Sequence, residues 1–205
     1  MQQPFLGTCL KRFFDVAASS AGLFVLSPLL AGAALWIKLD SKGPIFYKQE
    51  RIGMNGIPFR IWKFRTMVTG ADRKGTLVTI GDRDPRITTA GYWLRKTKID
   101  ELPQLFNVLV GQMSFVGPRP EVRKYVDLYT LDQRAVLRVR PGITDQASIA
   151  YRRESEILAK KENPEDYYRR VVMGRKIALN LRYLEQRTFL TDIALIFRTI
   201  FHIGR

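Results

Sequence analysis

The chain has 205 residues, 46% of them apolar, and a net charge of +15, which fits one domain able to bury a core and bind an anionic partner. Its single cysteine, Cys9, excludes an internal disulfide framework and a multi-cysteine metal site, and fits a reducing compartment. Its single histidine, His202, argues against Ser-His-Asp and Cys-His catalysis and against a His-rich zinc site, leaving carboxylates, arginines and lysines for chemistry.

Lys11 and Arg12 precede an apolar stretch from Phe13 to Ile37, broken by Asp15 near its start and by Ser27-Pro28 in its middle. Hydropathy alone favours one spanning helix, since Val16 to Ile37 is uncharged over about the 20 residues a span needs. Pro28 removes a backbone donor and disfavours helix at Ser27, so a bend is predicted. The arms would hold about 10 to 14 residues, some 15 to 20 Å each, too short for a hydrocarbon core of about 30 Å. Basic residues flank both ends, Lys11 and Arg12 before, Lys38, Lys42, Lys48 and Arg51 after, so both ends are expected on the cytoplasmic side. Residues 1–38 are therefore read as a re-entrant helix-break-helix, with the Ser27 hydroxyl serving a carbonyl freed by Pro28. Ala31-Gly32-Ala33 keeps a cleaved signal peptide as a rival.

Residues 39–188 are expected to form a small cytosolic catalytic domain. Ile45 to Gln49 and Phe59 to Arg65 alternate like strands around an Asn55-Gly56 turn, with Pro58 bounding the second. Lys63 and Arg65 lie two apart and project from one face, a clamp for phosphate oxygens or simply a basic wet face. Val68 to Thr89 reads as irregular, with Asp82, Arg83, Asp84 and Arg86 in a salt-bridged loop. Arg95, just before the next segment, would reach a phosphate or face water.

Lys98 to Pro120 organises the rest. Asp100 reads as an N-cap, Glu101 suits the positive helix end, and Pro103 is tolerated in the first turn. Leu102, Leu105, Phe106, Leu109 and Val110 follow at helical spacing, predicting one buried face, and Gly111 reads as the stop. The segment ends in a rigid Pro118-Arg119-Pro120 corner. The plain reading makes Asp100 and Glu101 helix caps. Beyond it, Tyr125 to Arg138 reads as one amphipathic helix, Arg140-Pro141-Gly142 as a turn, and Glu154 to Arg170 as charged surface. In residues 189–205, Leu190, Ile193, Phe197, Ile200 and Phe201 predict either a packed core helix or, with Arg198 and Arg205, a helix lying on a membrane. His202 reads as a surface or interface residue.

Asp100-Glu101-Leu102-Pro103-Gln104-Leu105, Asn107-Val108-Leu109, Gly111, Met113-Ser114 and Val116 to Pro120 together resemble the bacterial sugar transferase family. The monotopic phosphoglycosyl transferases of that family transfer a sugar phosphate to a polyprenol carrier. Gln49-x-Arg51-x-Gly53, Lys63 to Met67, Asp84 to Thr88 and Arg140 to Thr144 extend the resemblance, and Ser27-Pro28 occupies the family's Ser-Pro break. After Thr144 the chain departs from the commoner pattern: Asp145-Gln146-Ala147-Ser148 leads to Tyr151-Arg152, with Arg152 at the position of a family arginine. That departure bears on the sugar more than on the reaction.

The resemblance implies an α+β, mostly helical fold: the re-entrant anchor, a β-hairpin and amphipathic interfacial helices. It implies a UDP-sugar donor, a polyprenyl (undecaprenyl) phosphate acceptor, anionic lipids around the chain, and a bacterial inner-membrane location with the catalytic domain on the cytoplasmic face. Asp100 would attack the sugar-bearing phosphorus and release UMP, Glu101 would assist as metal ligand or in proton handling, and Mg²⁺ would suit both carboxylates. Arg119 and Arg140 would contact the phosphates or the uridine side. A nucleic-acid-binding module or a non-catalytic membrane scaffold is the competing reading, but no nucleic-acid motif accompanies the charge.

Overall fold

The computed structural model describes residues 5–71 and 84–202, with side chains over 7–71 and 84–201; Asp82, Arg83, Arg205 and the His202 side chain lie outside the described residues. The described residues are mostly helical, with two small two-stranded sheets among them. Helices α1 (Phe5–Val25) and α2 (Ser27–Asp40) meet at a bend of 60°. The bend has its cause in the chemistry of one residue: Pro28 has no N–H for the Phe24 carbonyl, and the Ser27 hydroxyl donates to that carbonyl at 2.7 Å instead. Among the described residues no single helix is long and apolar enough to cross a membrane, although the bent pair passes that test jointly. The first arm, at 21 residues, is longer than predicted because its charged first turns dock on the protein body.

Both ends of this pair are pinned. Lys11 forms an ion pair with Asp192 and donates to the Val116 carbonyl, while Arg12 donates to the carbonyls of Val108 and Leu109. Asp15, almost fully buried, accepts from the Ser114 hydroxyl and the Phe115 N–H, each at 3.1 Å. At the far end, the Arg65 guanidinium donates to the Ile37 and Ser41 carbonyls that end α2.

Strands β1 (Phe46–Ile52) and β2 (Pro58–Phe64) form the predicted antiparallel hairpin, paired from Phe46 with Phe64 to Ile52 with Pro58. A 3-10 turn with left-handed Asn55 and Gly56 connects them. Met67 bridges Ile87 across the segment expected to be irregular, and Arg86 holds Asp84 there. Thr88 caps α3 (Thr89–Lys96) by accepting the Gly91 N–H.

The helix expected from Asp100 onward is shorter: a 3-10 turn spans Ile99–Glu101, and α4 is Gln104–Leu109. Its faces also differ from the prediction. Gln104, Leu105, Asn107 and Val108 are buried, whereas Phe106 and Val110 are exposed. The reason is Asn107, whose amide substitutes for a neighbouring strand along β2. It accepts the Trp62 N–H and donates to the Arg60 carbonyl, which turns that polar face inward.

β3 (Ser114–Val116) pairs in parallel with β4 (Gly142–Thr144). The backbones meet so closely that a Cβ on Gly117 would lie 2.4 Å from the Arg140 carbonyl oxygen, so glycine is obligatory at that crossing. The single helix expected over Tyr125 to Arg138 is instead α5 (Arg123–Val126) and a 3-10 helix, Gln133–Arg138. A turn at Thr130, whose hydroxyl accepts the Gln133 N–H, divides them. Then come α6 (Gln146–Ala150), α7 (Glu154–Ala159), α8 (Pro164–Tyr167), a π turn at Tyr168–Val172, α9 (Met173–Gln186) and α10 (Phe189–His202). The largest core cluster joins Ile52 of β1 to Tyr125, Val136, Leu158, Tyr168 and Ile177. On α10 the core-helix expectation is inverted: Asp192 and Leu195 face inward, while Leu190, Phe197, Ile200 and Phe201 are exposed.

Candidate active site

The Asp100-Glu101 pair sits on a turn rather than at a helix cap. Lys98 takes a left-handed backbone (φ 60), uncommon for a residue with a side chain, and this swings the following turn into the protein. Asp100 is 7% exposed, and its Oδ1 is buried with no hydrogen-bond partner. Glu101 is the opposite case. Lys63 Nζ donates to it at 3.0 Å, and the Arg119 guanidinium grips both of its oxygens. The planar fork of arginine matches a carboxylate in this two-point fashion.

These contacts separate two neighbouring carboxyls. Burial and then the Glu101 charge push the Asp100 carboxyl up from 3.8 to about 6, with Lys63, Arg95 and Lys98 opposing the rise. Burial would also raise Glu101, but Arg119 and Lys63 outweigh it and hold that carboxyl well below its ordinary value. Lys63 is itself pushed down by burial, with Glu101 resisting. Glu101 is thus a fixed anion inside a cationic clamp, and Asp100 is a buried carboxyl that titrates closer to neutrality, beside an open space.

That space is a cavity of about 480 Å³, and its wall includes Lys63, Arg95, Lys98, Asp100, Glu101 and Arg119. Of the corner residues Arg119 lines it, while the backbone holds the corner in place. The Arg119 N–H donates to Asp145 at 2.7 Å, the Pro118 carbonyl accepts the Gly142 N–H, and the Pro120 carbonyl accepts from Arg51. The prolines, both buried, therefore fix the base from which Arg119 projects. Arg152, exposed, lies at the rim.

The guanidinium groups of Arg65 and Arg140 hold backbone carbonyls rather than the Asp100-Glu101 carboxylates. Arg65 lines the same cavity, but its guanidinium is committed to the end of α2. Arg140 lies away from the carboxylates, donating to the Gly111 carbonyl at 2.9 Å just past the end of α4. An arginine near phosphates and an arginine closing a helix look alike in sequence, because only the partner differs.

Sequence reasoning missed Asp145, Glu121 and Tyr168. Asp145 is fully buried and accepts from the Arg119 and Ser148 backbones and from the Asn180 amide. Glu121 accepts from Arg51 and from the Tyr168 hydroxyl. The departure from the commoner family pattern that begins at Asp145 was the available signal.

Residues 6–205 match the family model described as bacterial sugar transferase. The chain belongs to the bacterial sugar transferase family. It is 39% identical over 201 residues to the UDP-glucose:undecaprenyl-phosphate glucose-1-phosphate transferase of Escherichia coli (strain K12), covering 94% of this chain and 39% of that protein. It is 41% identical over 145 residues to the UDP-N-acetylgalactosamine-undecaprenyl-phosphate N-acetylgalactosaminephosphotransferase of Aeromonas hydrophila, 69% of this chain and 34% of that one. With the exopolysaccharide production protein ExoY of Sinorhizobium fredii (strain NBRC 101917 / NGR234) it shares 35% identity over 210 residues, 95% of this chain and 85% of that protein. The chain spans about two fifths of the length of the glucose-1-phosphate transferases of Escherichia coli and Klebsiella pneumoniae.

Proposed function

We propose that this sugar transferase moves a sugar 1-phosphate from a UDP-sugar to undecaprenyl phosphate, releasing UMP, with Asp100 as the nucleophile. The observation that carries the reading is Asp100, with a buried Oδ1 that has no hydrogen-bond partner, in the wall of a cation-lined cavity beside an ion-paired Glu101. Oδ1 would form a bond to the sugar-bearing phosphorus as the bridging P–O bond breaks and UMP leaves with the electron pair. An oxygen of the lipid phosphate would then attack that phosphorus, breaking the Asp100 O–P bond and restoring the carboxylate. Arg119, Lys63, Arg95 and Lys98 would balance the diphosphate charge without moving during the step. Glu101 would keep Arg119 and Lys63 in place, since both of its oxygens are engaged.

Mg²⁺ fits this site only in one form. Among the described residues no group of three or more acidic, histidine or cysteine side chains converges. One carboxylate plus substrate phosphates is a usual magnesium set, and Asp100 supplies that carboxylate, whereas Glu101 is occupied by cations. When bound, the ion would neutralise charge on the diphosphate.

The helix pair would enter and leave one face of the bacterial inner membrane, catalytic body on the cytoplasmic side. Pinning of both ends to the same body supports this, as do the exposed Phe24, Val25 and Leu29 at the bend. Exposed Phe106, Val110, Phe197 and Phe201 would meet the same lipid, and the excess of Lys and Arg would favour anionic headgroups.

The test is chemical trapping. Incubation with labelled UDP-sugar and no acceptor is expected to leave phosphosugar on Asp100, and Asp100→Asn to abolish both label and UMP release. Product formation without an adduct on Asp100 would remove the nucleophile assignment.

A further inference from the structure

Buried polar atoms without partners are rare in folded proteins, so their location is informative. Here Arg65 Nε, Asp100 Oδ1, Tyr125 Oη and Ser148 Oγ are in that condition, and all four residues line the same cavity. Asp100 is accounted for by the reaction and Arg65 belongs to the α2 end. Tyr125 and Ser148 have no such role.

Their surroundings differ from the phosphate end. Lys63, Arg95, Lys98 and Arg119 crowd the two acidic groups at one part of the wall. Around Tyr125 the acidic groups are each paired instead: Glu154 with Lys176 at 2.8 Å, Glu121 with Arg51, and Glu165 with Lys124. Tyr168, held by Glu121, places its ring 5.0 Å from that of Tyr125. Burial, then Glu165, pushes the Tyr125 phenol up to about 12, so the hydroxyl stays neutral and can both donate and accept. A balanced, aromatic wall with two idle hydroxyls is poor for phosphate and well suited to a neutral ring bearing hydroxyls.

We propose that Tyr125 and Ser148, with the Glu154–Lys176 pair, form a subsite that reads the hydroxyls of a neutral sugar ring of the donor. The ring is the hexose or the ribose, which share this chemistry. The proposal deepens the transferase reading and rests on it for the identity of the donor. It also gives a physical place to the Asp145-to-Ser148 departure: Asp145 accepts the Ser148 N–H and so fixes the backbone that carries that hydroxyl.

Tyr125→Phe and Ser148→Ala each remove one hydroxyl and keep the packing. In full-length protein with undecaprenyl phosphate, each is expected to raise the KM for the UDP-sugar by about 3- to 10-fold, the range for one neutral hydrogen bond. The KM for the lipid phosphate should stay constant. A hexose contact changes the ratio of KM values for UDP-glucose and UDP-N-acetylgalactosamine while UMP inhibition is unchanged. A ribose contact weakens UMP inhibition by the same factor as donor binding and leaves that ratio alone. If both variants melt like the parent and neither moves the donor KM, the subsite is refuted. Direct binding of UDP-glucose, read by melting-temperature shift, separates the two claims. Binding weakened by both variants, in a protein that releases no UMP, would overturn the transferase reading and retain the subsite.

Discussion

Glu101 holds two cations while its neighbour Asp100 keeps a buried oxygen with no hydrogen-bond partner. One residue along the chain separates a permanent anion from a carboxyl that titrates near neutrality. The difference comes from where Lys63 and Arg119 reach, since both carboxyls are buried.

A pH–rate profile should report it. With Asp100 titrating at about 6 in the free protein, kcat/KM for the UDP-sugar should fall as the pH drops below that value, with unit slope. A profile flat down to pH 4.5 would contradict a nucleophile with a raised pKa.

The same shift has a stability consequence. Between 3.8 and about 6 the folded protein keeps a proton on Asp100 that the unfolded chain has lost. The associated stability is fully present below the lower value and is lost as the pH rises through the upper one. Asp100→Asn has no proton to lose, so it should be inactive yet more stable than the parent at pH 8, by on the order of 2–3 kcal/mol. The gain should vanish below pH 4. Melting curves at both pH values check it, and a variant less stable at pH 8 would count against the assignment.

Asp145 is expected to act through Arg119. It accepts the Arg119 N–H at 2.7 Å, so Asp145→Asn turns one acceptor against a donor and loosens the corner. We expect kcat to fall by about tenfold to a hundredfold, the usual cost of displaced positioning groups. Arg119→Lys should lose activity as well, because an ammonium cannot grip both Glu101 oxygens. Wild-type kcat in Asp145→Asn would show that the corner holds without it.

Cys9, free and exposed near the start of α1, reports topology. A membrane-impermeant maleimide should label it from the face that carries the catalytic body, in inverted vesicles and not in intact spheroplasts. Labelling from the opposite face would establish a spanning helix. Ser27→Ala should lower the melting temperature of the lipid-embedded protein, since it leaves the Phe24 carbonyl without its donor at a cost of about 1–3 kcal/mol.

Local chemistry made several features legible in the residues alone. The Ser27-Pro28 bend comes from one missing N–H, and the hairpin turn comes from Asn55-Gly56, whose backbones enter the left-handed region at little cost. The motif strings around Asp100 and Arg119 pointed to the family, and residues 6–205 match it. Direction was not legible. The spacing of Leu190, Phe197, Ile200 and Phe201 defines a stripe but not what lies against it, and tertiary packing turned that stripe outward and Asp192 inward. Likewise Lys63, Arg65, Arg119 and Arg140 carry the same charge in sequence. Folding alone sent two of them to Glu101, one to the end of α2 and one to the carbonyl of Gly111. Short-range sterics are written in neighbouring residues, whereas a cation's partner is set by contacts between segments far apart in the chain.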